Sequence, residues 1–151
     1  MRAAALFAFL LLPAMDADAN DDAPKPLMQV FQGLSARENW RQNPHAHYRY
    51  VLHRRCYCPA PNDVRVEVAN GRVTNVTDLK SGKDLPPARL SGYASIDELI
   101  ARIDAAVARK PDSMRVEYDR HMGYPKRVHI DPSYRIADDE IDFTIESVTL
   151  L

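Results

Sequence analysis

The sequence predicts an α+β domain, a two-layer fold in which one antiparallel sheet of about six strands carries two helices on one face, in the order αβββ-αβββ. Three observations predict it. Apolar and polar residues alternate with a period of two in six separate segments. Asn70-Gly71 falls between two of those segments and is a strong hairpin signal, because both turn positions want positive φ. Two other segments open on Ser and carry Glu three residues later, the capping-box spacing of a helix start.

The first helix is predicted over 34–43, with Ser35 as cap, Glu38 completing the box, Trp40 as the anchor into the core and Pro44 as the stop. In the strand predicted over 47–58, Tyr48, Tyr50, Leu52, Cys56 and Cys58 share one face. His47, Arg49, Val51, His53 and Arg55 share the other. Pro59 and Pro61 stop it. Val64, Val66 and Val68 mark the second strand, and residues 72–78 the strand returning from the Asn-Gly turn. Residues 80–92, with two glycines and two prolines, are predicted as loop. The second helix, 95–110, opens on Ser95 and Glu98 and places Ile96, Leu99, Ile100, Ile103 and Val107 on one apolar stripe; Pro111 closes it. Three strands follow, around Met114–Tyr118, Lys126–Ile130 and Ile141–Ile145, the last kinked near Ser147.

Composition narrows the function classes. The chain has 151 residues and a formal net charge of −1, with 46% hydrophobic and 27% charged residues. That length suits a single domain. The charge balance argues against a nucleic-acid-coating protein, which needs a basic excess. Two cysteines are too few for a disulfide-dense scaffold. Residues 1–19 have the form of a secretory signal: Arg2, an apolar run from Ala3 to Met15 shorter than the ~20 residues that span a bilayer, then Ala17-Asp18-Ala19. Cleavage before Asn20 removes Arg2, Asp16 and Asp18 and leaves a formally neutral chain. Residues 20–33 are expected to be a flexible segment, and 34–151 one α+β domain, periplasmic or secreted, with no stable membrane insertion after cleavage.

The candidate site residues are few. Cys56 and Cys58 are a possible disulfide or structural pair, because an exported protein meets an oxidising compartment. In a flat strand their Cα atoms would lie about 6.7 Å apart, near the limit for a bridge, so the chain has to bend, and Pro59 marks a bend. A metal pair and a redox-active dithiol are the alternatives. His53, like His45 and His47, falls on the strand face away from the cysteines, which argues against zinc and for a surface row of imidazoles. Asp131, Asp138-Asp139-Glu140 and Asp142 are acidic but lack the spacing of a calcium loop. Tyr118-Asp119 and Gly123-Tyr124-Pro125 specify a hairpin, with Asp119 accepting turn N–H groups and Tyr124 a possible binding residue. Residues 35–58 are rich in arginine and 131–146 in carboxylates, so these segments compensate if they are neighbours. Neither a metal nor another cofactor is expected.

Tyr48-x-Tyr50 before Cys56-x-Cys58, then Asn70-Gly71-x-Val73, then Ser95-Ile96-Asp97-Glu98-Leu99 form a recognisable series. Tyr118-Asp119, Gly123-Tyr124-Pro125, Ile130-Asp131 and Asp138-Asp139-Glu140 extend it. Over roughly residues 35–150 the chain resembles the bacterial secreted and lipoprotein-like domain-of-unknown-function family 6174. Many such proteins look like lipoproteins, whereas no lipobox cysteine stands here. The resemblance implies a compartment and no mechanism. In shape alone, doubled helix-plus-strand units are similar to PepSY-like and β-lactamase-inhibitor-like modules.

The expected function is therefore an exported, non-catalytic binding or structural module of the bacterial cell envelope, whose partner is an envelope protein or a small ligand. One alternative is a small thiol- or metal-dependent enzyme or factor using Cys56, Cys58 and a histidine. Another is a protease-inhibitor-like module.

Overall fold

The computed structural model describes residues 37–43, 45–56, 58–136 and 140–151. The expected signal peptide, the flexible segment, Ser35 and Asp138-Asp139 lie outside the described residues. Six strands form one antiparallel sheet: β1 (His47–Arg54), β2 (Asp63–Ala69), β3 (Arg72–Asp78), β4 (Ser113–Tyr118), β5 (Pro125–Asp131) and β6 (Ile141–Leu150). Their spatial order is β3-β2-β1-β6-β5-β4. The first and last strands of the domain therefore meet at the centre, with Tyr48 opposite Leu150 and Arg54 opposite Phe143. Two hairpins flank that seam.

This corrects the predicted order αβββ-αβββ with two helices on one face. The molecule is mostly β, with a rough α+β character. The long helix, Ile96–Ala108, has 13 residues. The described helical residues near the N-terminus are only 37–42. A 3-10 helix, Pro87–Gly92, occupies part of the predicted loop. The physical reason is that strands of six to ten residues supply most of the backbone pairing, and short helical pieces suffice to cover one face. Among the described residues, no helix is long and apolar enough to cross a membrane.

Alternation decides which sheet face is covered. Tyr48, Tyr50 and Leu52 of β1, Val64, Val66 and Val68 of β2, Val128 and Ile130 of β5, and Phe143 and Ile145 of β6 are buried in one cluster with Trp40, Ile96, Leu99, Ile100 and Ile103. The odd-numbered residues of β1 lie on the opposite face, which is half-buried to exposed. The Asn70-Gly71 turn has φ of 50° and 75°, both in the left-handed region that this pair tolerates. Near the seam, Val51 pairs with Ser147 but Leu52 with Ile145, so Glu146 is an extra residue and bulges β6.

Two predicted placements change. Val107 is 46% exposed although it continues the apolar stripe; burial on the helix ends at Ile103, with Ala106 half-buried. β1 ends at Arg54, not Cys58: the N–H groups of Arg54 and Arg55 still reach the carbonyls of Asn62 and Asp142 at 2.9 and 3.0 Å, in register with the sheet, and the chain then bends, bringing the Cα atoms of Cys56 and Cys58 to 5.2 Å. The alternation of β1 therefore does not carry through the cysteines; Cys56 is half-buried and Cys58 exposed.

Two tyrosines of β1 fix where the long helix begins. Tyr48 Oη accepts the Ile96 N–H at 2.9 Å, and Tyr50 Oη donates to the Ala94 carbonyl. Ser95 and Glu98 complete the reciprocal capping box at 3.2 and 2.7 Å. Burial pushes both phenols well above the ordinary tyrosine range, so they stay protonated across the physiological range.

Candidate functional site

At the end of the β1–β6 seam the long helix and the sheet part to leave a cleft of about 210 Å³. Leu52, Leu99, Ile103 and Phe143 give it apolar walls, and Arg54, Arg55, Arg102 and Glu140 give it charge. Cys56 lines it too. Asp142 belongs to the same lining, but its carboxylate meets His129 Nδ1 at 3.3 Å, and residue 129 sits opposite it on the far sheet face. Arg54 is already engaged: its Nη2 donates to the Pro61 carbonyl at 2.8 Å and its Nη1 to the Gly92 carbonyl at 3.2 Å, with the guanidinium 4.5 Å from the Tyr93 ring centroid. Among the described residues, Arg55 and Arg102 take part in no ion pair. The cleft thus combines an apolar interior with guanidinium groups at its wall, a combination that suits an amphiphile bearing an anion.

The arginine-rich and acidic segments are neighbours, since β1 pairs with β6, but among the described residues the ion pair that joins them is His53 with Glu146, and no arginine of the first segment meets a carboxylate of the second. Cys56 and Cys58 are joined by a disulfide, with Cα atoms 5.2 Å apart. Residue 56 is half-buried and Cys58 exposed. The loop holding them is pinned by other bonds as well: Arg55 N–H to the Asp142 carbonyl at 3.0 Å, Asn62 Nδ2 to the Cys56 carbonyl at 3.2 Å, and Tyr93 Oη to the Pro61 carbonyl at 2.9 Å.

His53 stands on the open sheet face, away from the cleft and the cysteines, so the structure does not bring the three together. Its Nδ1 lies 2.8 Å from Asp63 Oδ1 on β2 and its Nε2 3.0 Å from Glu146 Oε2 on β6. The hydrogen bond to Glu146, and then that to Asp63, raises its pKa above the ordinary histidine value. A raised folded-state pKa means stability that is fully present below the unfolded value of about 6.5 and lost as pH rises through the folded one. The side chain is 39% exposed, so solvent screens the pair and its contribution stays below about 1 kcal/mol. The stability gap between the natural chain and His53→Gln, read from urea melts, is expected to shrink from pH 5.5 to pH 9. A gap that widens with pH would refute the assignment.

Asp119 and Tyr124 both serve the β4–β5 turn. Asp119 Oδ1 accepts the N–H groups of His121 and Met122 at 3.0 and 2.8 Å, and the Asp119 N–H donates to the Tyr124 carbonyl at 2.8 Å. Tyr124 is buried, its ring edge-on to Trp40, and burial raises its pKa. Asp131, Glu140 and Asp142 do not converge on one point: among the described residues, no group of three or more His, Cys, Asp or Glu side chains could hold a metal ion. The cleft itself carries no sequence signal. Leu52, Leu99, Ile103 and Phe143 each look like core residues, and the pairing of β1 with β6 and the packing of the long helix on the sheet place Arg55 and Arg102 beside them.

A family model described as a family of unknown function, DUF6174, matches residues 32–150. No curated protein and no solved structure matches the chain. The matched span takes in all six strands, the long helix and the cleft, and the chain belongs to the DUF6174 family of unknown function.

Proposed function

We propose that this chain is an exported binding module of the bacterial cell envelope, and that the cleft beneath the long helix seats the apolar part of a small anionic amphiphile. The observation that carries the reading is the cleft's composition: walls of Leu52, Leu99, Ile103 and Phe143, with Arg55 and Arg102 beside them. Apolar area drives entry, and the guanidinium groups select the anion. The export part rests on the form of residues 1–19 and is tested separately: the mature protein should start at Asn20 by intact mass and partition with the soluble envelope fraction.

Octanoate is a suitable probe. At about 0.4 kcal/mol for each of its roughly ten heavy atoms, it should bind with a Kd of about 1 mM. Arg102 is exposed, so Arg102→Glu should leave the fold intact while weakening octanoate about tenfold, or ~1.4 kcal/mol. Octylammonium should respond in the opposite sense. Calorimetry showing no saturable octanoate binding, or binding indifferent to Arg102→Glu, would overturn the ligand seat.

A further inference from the structure

We propose that the Cys56–Cys58 disulfide is exchange-active and oxidises a dithiol on a partner protein. The inference goes beyond the ligand seat and does not need it, because the attacked sulfur, on Cys58, is not in the cleft's lining; only the leaving Cys56 lines it. Four observations converge. The bond encloses only the chain between residues two apart, so it restricts the unfolded ensemble far less than a long-range bridge would. Its loop is already held by hydrogen bonds from Arg54, Arg55, Asn62 and Tyr93, which leaves the bridge little structural work. Cys58 is exposed to an attacking thiolate while Cys56 is half-buried. Asn62 Oδ1 lies 3.3 Å from Cys56 Sγ, with its Nδ2 committed to the Cys56 carbonyl. In the disulfide that oxygen faces a sulfur with no proton. In the dithiol it is placed to accept the Cys56 S–H, so the reduced form gains a hydrogen bond that the oxidised form lacks.

The step balances in two exchanges. A partner thiolate attacks Cys58 Sγ, a new S–S bond forms, and the Cys56–Cys58 bond breaks with its electron pair on Cys56. The departing thiolate sits in a segment that carries Arg54 and Arg55, cations that favour a leaving thiolate, before it takes a proton from solvent. The partner's second thiolate then attacks the partner sulfur of the mixed disulfide, and Cys58 leaves. The partner has lost two electrons and holds a disulfide; this chain has gained them and holds two thiols. A small-molecule disulfide of the glutathione type regenerates it by the reverse exchange.

The test uses the full mature chain. Equilibrated in glutathione buffers, trapped with a maleimide and weighed, it should become half-reduced within a tenfold range of the buffer that half-reduces an unstructured peptide carrying the same Cys-x-Cys spacing. It should oxidise a reduced dithiol peptide at least tenfold faster than equimolar glutathione disulfide does. First converted by glutathione disulfide to the protein–glutathione mixed disulfide, Cys56→Ser, with its sulfur at Cys58, should be reduced by the dithiol peptide at least tenfold faster than Cys58→Ser, with its sulfur at the half-buried Cys56. Arg55→Glu should slow the first exchange severalfold. Trp40 fluorescence melts check that each variant is folded. A bond that stays fully oxidised at a hundredfold more reducing buffer, or a peptide rate equal to that of glutathione disulfide, would overturn the proposal and leave the bridge a structural staple.

Discussion

Tyr48→Ala is expected to cost about 3–5 kcal/mol, the range for emptying a large aromatic site in a core. Tyr48 is fully buried at the sheet centre, between β2 on one side and β6 on the other. Its ring meets Trp40 edge-on at 5.4 Å, and its hydroxyl accepts the first helical N–H. Two contributions can be separated. Tyr48→Phe keeps the ring and removes only the acceptor, leaving the Ile96 N–H buried and unpaired, which costs about 1–3 kcal/mol. The remainder of the alanine effect is lost packing. Urea midpoints at constant m would give both numbers. Equal costs for the two variants would mean that the ring packs poorly and the hydroxyl carries the site. A negligible cost for Tyr48→Phe would mean that water reaches Ile96.

These residues also show what the sequence discloses. The inward face of β1 is legible because Tyr48, Tyr50 and Leu52 alternate with polar residues, and one buried face demands that period. The start of the long helix is legible because Ser95 and Glu98 satisfy each other's orphan N–H groups locally. Periodicity then misleads twice. Val107 keeps the stripe of Ile103, yet it is 46% exposed, because burial depends on what stands opposite and a helix can outrun its sheet. Cys56 and Cys58 keep the alternation of β1, yet the chain bends there, with their Cα atoms 5.2 Å apart instead of the ~6.7 Å of a flat strand. The strand order was out of reach for a different reason. The β1–β6 seam joins residues about a hundred positions apart, and a single sequence holds no local trace of that pairing. The cleft inherits this: its walls come from β1, the long helix and β6, and no segment of sequence contains it. The capping signals mark two helix starts on one face of the sheet, but a cap marks a beginning and says nothing about length.

Trp40→Ala should be the second costly change, at about 3–5 kcal/mol. Trp40 is 2% exposed and is the principal buried side chain of the helical segment 37–42. Its indole Nε1–H donates to Asp97 Oδ1 at 3.1 Å, in the first turn of the long helix, and its ring lies edge-on to both Tyr48 and Tyr124. The segment has other ties to that helix, namely the ion pairs of Arg37 and Arg41 with Asp104. These are partly exposed, and Asp104→Asn should cost no more than about 1 kcal/mol. The contrast decides what holds the segment down. If packing does, Trp40→Ala destabilises several times more than Asp104→Asn and leaves residues 37–42 open to proteolysis under conditions where the sheet remains folded, because short helices depend on tertiary contacts. Trp40→Phe should recover most of the loss, since Asp97 is exposed and its carboxylate can turn to water. If Asp104→Asn proved the more damaging, charge would be the anchor, and raising the salt concentration would release the segment from the natural chain as well.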